Sequence, residues 1–162
     1  MIRTAFIILY VVPATAVLGI IAIIVSFFTR SGNPVHNIAR IWAKSILAVS
    51  GIDVSVSGLS NIDPGRSYIF MSNHRSNFDI PVLLGCLPVQ FRWLAKAELF
   101  KIPIFGRAMS GAGYVKIDRF NRESAIKSIE QVAAKMKDGV SVMIFPEGTR
   151  SEDGNLKHFK KG

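Results

Sequence analysis

Residues 122–145 read RESAIKSIEQVAAKMKDGVSVMIF, an amphipathic stretch that runs into an uncharged apolar one. Ile126, Ile129, Ala133 and Met136 recur at spacings of three and four, which predicts a helix over residues 122–137. Gly139 supplies the cap that ends it. Val140 to Phe145 then reads as a buried strand that stops at Pro146. A helix that empties into a buried strand is the repeating unit of an α/β layer, whose parallel strands are apolar on both faces.

The same alternation extends outward from that stretch. Residues 67–72 form a compact apolar strand, and residues 77–86 a short helix with Pro81 tolerated in its first turn. Strands are expected at 91–95 and 114–118, with a short helix at 103–110 between them. Val54-Ser55-Val56-Ser57 alternates as a further strand, and NIDPGR at 61–66 carries turn chemistry in Pro64-Gly65. The fold class is therefore α/β: a mixed, largely parallel sheet flanked by helices. There is no internal repeat and no low-complexity tract.

The N-terminal end is of another kind. Residues 5–28 (AFIILYVVPATAVLGIIAIIVSFF) carry no charge and are bracketed by Arg3 and Arg30. About 24 residues at roughly 1.5 Å each reach about 36 Å, enough for a tilted bilayer crossing. The run is too long for the core of a secretory signal, and no Ala-x-Ala cleavage site follows it, which favours a retained anchor. Pro13 is expected to kink it, leaving a re-entrant hairpin as the alternative. Residues 35–50 (VHNIARIWAKSILAVS) form a second helix with Ile38, Ile41, Trp42, Ile46 and Val49 on one stripe. That stripe suits either the membrane interface or the catalytic core, and His36 reads as a surface residue. The expected organisation is an anchor at 1–30, an amphipathic helix at 31–52 and a catalytic domain at 53–162. Arg30, Arg40 and Lys44 follow the anchor whereas Arg3 alone precedes it, which puts the downstream domain on the cytoplasmic face.

The chain of 162 residues has a net charge of +9, from 20 Lys and Arg against 11 Asp and Glu, so it favours anionic partners. No zinc-finger spacing, RNA-recognition signature or recognition helix supports nucleic acid, and an acidic membrane surface is the expected partner. With one cysteine, Cys86, neither an intrachain disulfide nor a cysteine-rich metal site forms.

Two motifs carry chemistry. Asn73-His74-Arg75-Ser76-Asn77-Phe78-Asp79 sets an imidazole five residues before a carboxylate at a strand-to-helix junction. A lipid hydroxyl is a weak nucleophile at neutral pH and needs a base. His74 suits that task, with Asp79 fixing its tautomer. Five residues on a helix turn through about 140°, so the pair meets only if His74 lies in the loop and Asp79 in the first helical turn. Against this stands a structural reading, in which Ser76 and Asp79 form a capping box. The chain has no Gly-x-Ser-x-Gly elbow, which favours direct attack by the acceptor over a covalent acyl-enzyme. The second motif is Phe145-Pro146-Glu147-Gly148-Thr149-Arg150-Ser151, after the buried strand. Gly148 lets the backbone approach a ligand, Thr149 offers a hydroxyl and Arg150 grips a phosphate. Glu147 is suited to bonding a substrate hydroxyl or holding Arg150. Its bland counterpart is a Pro-Glu-Gly turn with a solvated arginine.

In combination these blocks resemble the glycerolipid acyltransferase family, which includes 1-acylglycerol-3-phosphate acyltransferases. His74 and Asp79 match its His-x4-Asp motif and residues 145–151 its Glu-Gly-Thr-Arg block. Gly113-Tyr114-Val115-Lys116-Ile117-Asp118-Arg119 is similar to the block that ends in a phosphate-binding arginine. Lys96-Ala97-Glu98-Leu99, with Ile102-Pro103-Ile104-Phe105-Gly106, is similar to its Lys-x-Glu-Leu segment. The resemblance implies a membrane enzyme that moves an acyl group from acyl-CoA or acyl-carrier protein to lysophosphatidic acid. It implies His74 as base, Asp79 as its partner, Lys96, Arg119 and Arg150 with Glu147, Gly148 and Thr149 on the phosphate side, and no metal or other cofactor. If the source is bacterial, the location is the inner membrane. The chain stops at Gly162, short of the family's further strands, so it resembles a C-terminally truncated member with an open sheet edge. Two alternatives stay open. One is a different acceptor, glycerol-3-phosphate or another lysophospholipid; the other is a non-catalytic lipid-binding fragment. Met71, Met109, Met136 and Met143 read as core fillers and His158 as a surface residue. Phe100, Ile102, Ile104 and Phe105 suit an acyl groove or ordinary core.

Overall fold

A computed structural model describes residues 2–118, 120–137, 139–151, 153 and 155–159. Helix α1 (Ile2–Phe28) runs unbroken through Pro13. Helix α2 (Asn33–Val49) follows, and then β1 (Ile69–Met71), α3 (Asp79–Cys86), β2 (Phe91–Lys96), α4 (Phe105–Gly111), β3 (Val115–Ile117), α5 (Arg122–Lys137) and β4 (Ser141–Ile144). The four strands are parallel in the order β1-β4-β2-β3. β4, the last strand in the chain, is inserted between β1 and β2, with Met71 opposite Ile144 and Trp93 opposite Met143. The α/β sheet expected from the alternation is the one observed.

Strand composition follows position. β2 and β4 have neighbours on both sides and bury Phe91, Arg92, Trp93, Val142 and Met143 to within a few per cent. Edge strand β1 leaves Ile69 and Met71 more than half exposed, so Met71 is not the core filler expected of it. The Val-Ser alternation at 54–57 builds no strand: the period is right, but no neighbouring strand takes its hydrogen bonds. The main core joins Ala43 of α2 and Leu84 of α3 to Phe91, Trp93 and Met143 of the sheet. Each of the larger side chains contributes about 2–3 kcal/mol through burial.

Helix α5 occupies the expected residues but is rotated on the sheet. Its buried residue is Ser128, while Ile126 and Ile129 are each 46% exposed. The inward seam therefore lies one residue, about 100°, from the apolar stripe.

α1 and α2 run antiparallel. Arg3 donates to the Ser50 carbonyl at the end of α2, and Trp42 Nε1 donates to Thr15 Oγ1 at 2.9 Å midway. Near the other end of α1, Gly111 of α4 lies so close to Ser26 that an added Cβ would stand 2.7 Å from the serine Cβ. Both ends of α1 are thus held to the folded part. Its outer side presents Phe6, Leu9, Val12, Ile20, Phe27 and Phe28 to the surroundings. α1 is the one described helix long and apolar enough to cross a membrane.

His36 is not the surface residue expected. It is fully buried, with Nδ1 3.0 Å from the Tyr114 hydroxyl and its ring edge-on to Phe91. Arg92, 2% exposed, closes the same corner by donating to the Ser31 carbonyl and to Asn33. Burial, then the Arg92 and Arg40 charges, push the His36 pKa down to about 3, so the ring is neutral.

Candidate active site

Because β1 and β4 are adjacent and parallel, the loops leaving their carboxyl ends emerge side by side, as does the end of β2. Those three exits carry His74, the 145–151 loop and Lys96. The topology therefore unites residues more than seventy positions apart.

His74 lies in the loop after β1, and Asp79 opens α3, as the spacing argument requires. Asp79 Oδ2 accepts from His74 Nδ1 at 2.7 Å, Arg75 N at 2.7 Å and Ser76 N at 2.9 Å. Ser76 Oγ accepts in turn from Phe78 N at 3.1 Å. Of the expected capping box only the reach-back bond to Ser76 N forms: the N-cap of α3 is Phe78, which carries no side-chain cap bond, and one Asp79 oxygen both gathers the loop N–H groups of Arg75 and Ser76 and orients the ring. Burial alone would raise the Asp79 pKa. The bonds from Ser76, His74 and Arg75 outweigh it and hold the carboxyl below the ordinary aspartate value. With an ionised acceptor on Nδ1, the proton sits on Nδ1 and the lone pair on Nε2. Among the described residues Nε2 has no hydrogen-bond partner. Phe145 stacks on the imidazole at 4.0 Å and 12°, and Trp93 stacks behind Phe145 at 5.3 Å.

The second loop begins as a turn, with Gly148 N donating to Phe145 O at 3.0 Å and Gly148 at φ +70°. That φ suits glycine. Thr149 and Arg150 are exposed, and Arg150 Nη1 donates to Asn77 Oδ1 at 2.9 Å. Lys96 pairs with Glu98 at 3.3 Å, both side chains about half exposed. Glu147 is 1% exposed: Oε1 accepts from His74 N and Oε2 from Lys157 N, each at 3.0 Å. Arg119 lies outside the described residues.

His74, Asn77, Lys96, Gly148, Thr149 and Arg150 line one cavity of about 640 Å³. Its inner walls are apolar: Leu18, Gly19 and Ala22 of α1, Ile38 and Trp42 of α2, and Phe105, Ala108 and Met109 of α4. The innermost residues, Ala22, Val35, Ala112 and Tyr114, are buried or nearly so. The volume falls in the range of sites for drug-sized ligands, about 300–1,000 Å³. Of the apolar residues 100–105, Phe105 lines this cavity and Ile102 is 46% exposed. Motif reading missed three contributors. Asn77 steadies Arg150, Phe145 backs the imidazole, and Ser151 N donates to His74 O at 2.7 Å. All three stand inside the quoted motifs, so position flagged them although residue type did not.

A chloroplastic 1-acyl-sn-glycerol-3-phosphate acyltransferase of Arabidopsis thaliana is 40% identical over 128 residues, covering 78% of this chain and 35% of that protein. The human 1-acyl-sn-glycerol-3-phosphate acyltransferase alpha is 35% identical over 134 residues, covering 81% of this chain and 47% of that one. The crystal structure of the 1-acyl-sn-glycerophosphate acyltransferase PlsC from Thermotoga maritima superposes with a TM-score of 0.79 at 29% identity. That superposition takes in 99% of this chain and 65% of that chain. The chain therefore spans between a third and two thirds of the length of these relatives. The family profile described as Acyltransferase matches residues 53–162, the stretch that holds both motifs, and the chain belongs to the acyltransferase family.

Proposed function

We propose that this chain transfers a fatty acyl group from a thioester, acyl-CoA or acyl-carrier protein, to the sn-2 hydroxyl of 1-acylglycerol-3-phosphate. The products are phosphatidic acid and the free thiol. The observation that carries this reading is the His74–Asp79 pair, joined at 2.7 Å, on an apolar cavity that also holds the cations Lys96 and Arg150. An apolar chamber with one base and a cationic mouth suits a lipid that carries a phosphate.

In the proposed reaction His74 Nε2 takes the hydroxyl proton while the hydroxyl oxygen attacks the thioester carbonyl. The tetrahedral adduct collapses, the C–S bond breaks, and the imidazolium returns its proton to the departing thiolate. Asp79 holds the tautomer and stabilises the imidazolium. Arg150, steadied by Asn77, and Lys96 face the acceptor phosphate, with Thr149 beside them. Arg119 belongs to the phosphate side by the motif it ends. No step uses a metal or other cofactor. The exposed side of α1 meets lipid, and the domain faces the cytoplasm, as Arg30, Arg40 and Lys44 against Arg3 favour.

The test is release of free thiol from oleoyl-CoA in the presence of lysophosphatidic acid, with the detergent-solubilised chain and its His74→Ala variant. General base catalysis is worth about 10²–10⁴-fold, and the variant should lose that much. Equal turnover in both proteins would remove His74 as the base. Transfer to glycerol-3-phosphate at the higher kcat/KM would replace the acceptor.

A further inference from the structure

We propose that Glu147 is a positioning residue for the base: its carboxylate ties the His74 loop to the segment that ends at Lys157 and does not touch the acceptor. This deepens the acyl-transfer reading and rests on it.

Three observations carry the proposal. Both carboxylate oxygens are taken by main-chain donors, His74 N on one and Lys157 N on the other, each at 3.0 Å. The residue is 1% exposed and is absent from the lining of the cavity that holds His74, Lys96 and Arg150; it lines instead a separate space of about 360 Å³ with Asn73, Arg75 and Asn155. Its charge is wrong for a phosphate ligand, since a carboxylate repels a phosphate.

A buried carboxylate is costly unless its hydrogen bonds are made, and here two charge-assisted bonds make them. The described residues of that segment are bonded to one another and to the site loop. Ser151 Oγ donates to Asn155 O at 2.7 Å, Asn155 N donates to Asp153 Oδ1 at 3.1 Å, and Lys157 Nζ donates to Arg150 O at 2.8 Å. Ser151 N closes the belt on His74 O at 2.7 Å. His74 is therefore fixed at four points: N–H by Glu147, C=O by Ser151, Nδ1 by Asp79 and ring face by Phe145. Without Glu147 the loop loses the anchor on the His74 main-chain N–H. A displacement of about 1 Å at a reacting group costs about a hundredfold in rate.

The experiment compares the full chain with Glu147→Gln and Glu147→Ala. Glutamine is nearly isosteric but offers one acceptor, so its NH2 must face one of the two N–H donors. With oleoyl-CoA and lysophosphatidic acid, kcat should fall about tenfold in the glutamine variant and about a hundredfold in the alanine variant. KM for lysophosphatidic acid, and its Kd by calorimetry without donor, should stay within about threefold. The downfield proton resonance of the His74–Asp79 hydrogen bond should broaden or vanish in both variants. A tenfold or greater rise in KM or Kd at unchanged kcat would make Glu147 a substrate ligand and overturn the proposal. Unchanged kinetics with an unchanged resonance would overturn it too. If the alanine variant does not fold, the glutamine variant decides. If the unaltered chain does not acylate lysophosphatidic acid, the acyl-transfer reading fails separately. The resonance then decides on Glu147 by itself: lost in the glutamine variant it sustains the tie, and retained it refutes it.

Discussion

Replacing Asp79 with asparagine should be mild where a catalytic-triad precedent would make it severe. One oxygen of Asp79, Oδ2, accepts all three bonds, from His74 Nδ1, Arg75 N and Ser76 N. The amide oxygen of an asparagine placed there takes the same three donors, so the ring keeps its tautomer and the loop its two main-chain bonds. The lost charge in the first helical turn is worth about 0.3–1 kcal/mol. Stability should fall by no more than that. What disappears is the charge that steadies the imidazolium. A hydrogen bond to a charged group is worth about 1.5–3 kcal/mol against about 0.5–1.5 for a neutral one. The difference of about 1–2 kcal/mol corresponds to roughly five- to thirtyfold in kcat. In the serine-protease triad the same exchange costs about 10⁴-fold because the ring takes the wrong tautomer. Asp79→Ala removes all three bonds. It should cost about 1–3 kcal/mol in stability and about 10²–10⁴-fold in kcat. Free-thiol release under saturating substrates, alongside urea melts, reads both quantities. An asparagine variant as inactive as the alanine variant, with its stability retained, would refute the shared-oxygen account. A fully active one would refute the need for the charge.

Two further outcomes concern the scaffold. The folded pKa of His36 is about 3, against 6.5 for the unfolded chain, so below pH 6.5 the unfolded state binds a proton that the folded state refuses. Its contribution is whole well above pH 6.5 and declines as pH falls toward 3: with the unfolded ring half protonated at pH 6.5, the loss between pH 6.5 and 5 is about 1.7 kcal/mol. Urea melts at the two pH values should show that loss, and His36→Gln should abolish it; a slope that survives the substitution belongs to other groups. Gly106→Ala would place a Cβ 2.1 Å from the Phe100 carbonyl oxygen, a backbone atom that cannot step aside, and should cost about 3 kcal/mol. Gly139→Ala meets nothing within 4 Å and bears only the cost of φ +83°, about 1–2 kcal/mol. Thermal melts of the two variants that rank in the opposite order would contradict the packing at Phe100.

The parts of this fold that sequence declares are those decided by local period or by burial on both faces. β2, β4 and α5 are legible at nearly their true bounds because apolar runs and three-four spacing do not depend on a partner's identity. Val54 to Ser57 satisfies a local pattern with no strand to pair against, and α5 turns Ser128 inward in place of Ile126 and Ile129. His36 belongs to the same class, since its partner Tyr114 lies 78 residues away. At the site, spacing alone required His74 to be in a loop and Asp79 on the first helical turn, and the geometry obeys. Glu147 invited a reading as a substrate contact because carboxylates commonly are. Its partners are main-chain N–H groups of His74 and Lys157, which no pattern of side chains announces.

The insertion of β4 between β1 and β2 sets an order of events during synthesis. The amide of His74 is closed by a carboxylate 73 residues further along the chain. At about 5–20 residues per second, that partner leaves the ribosome roughly 4–15 s after the histidine does. Throughout that interval β1 and β2 have an unfilled slot between them, and the apolar α1 has already emerged. The apolar helix is therefore made before the imidazole can be held in place, so a chain stalled short of Glu147 carries α1 and His74 without the carboxylate that closes the histidine amide.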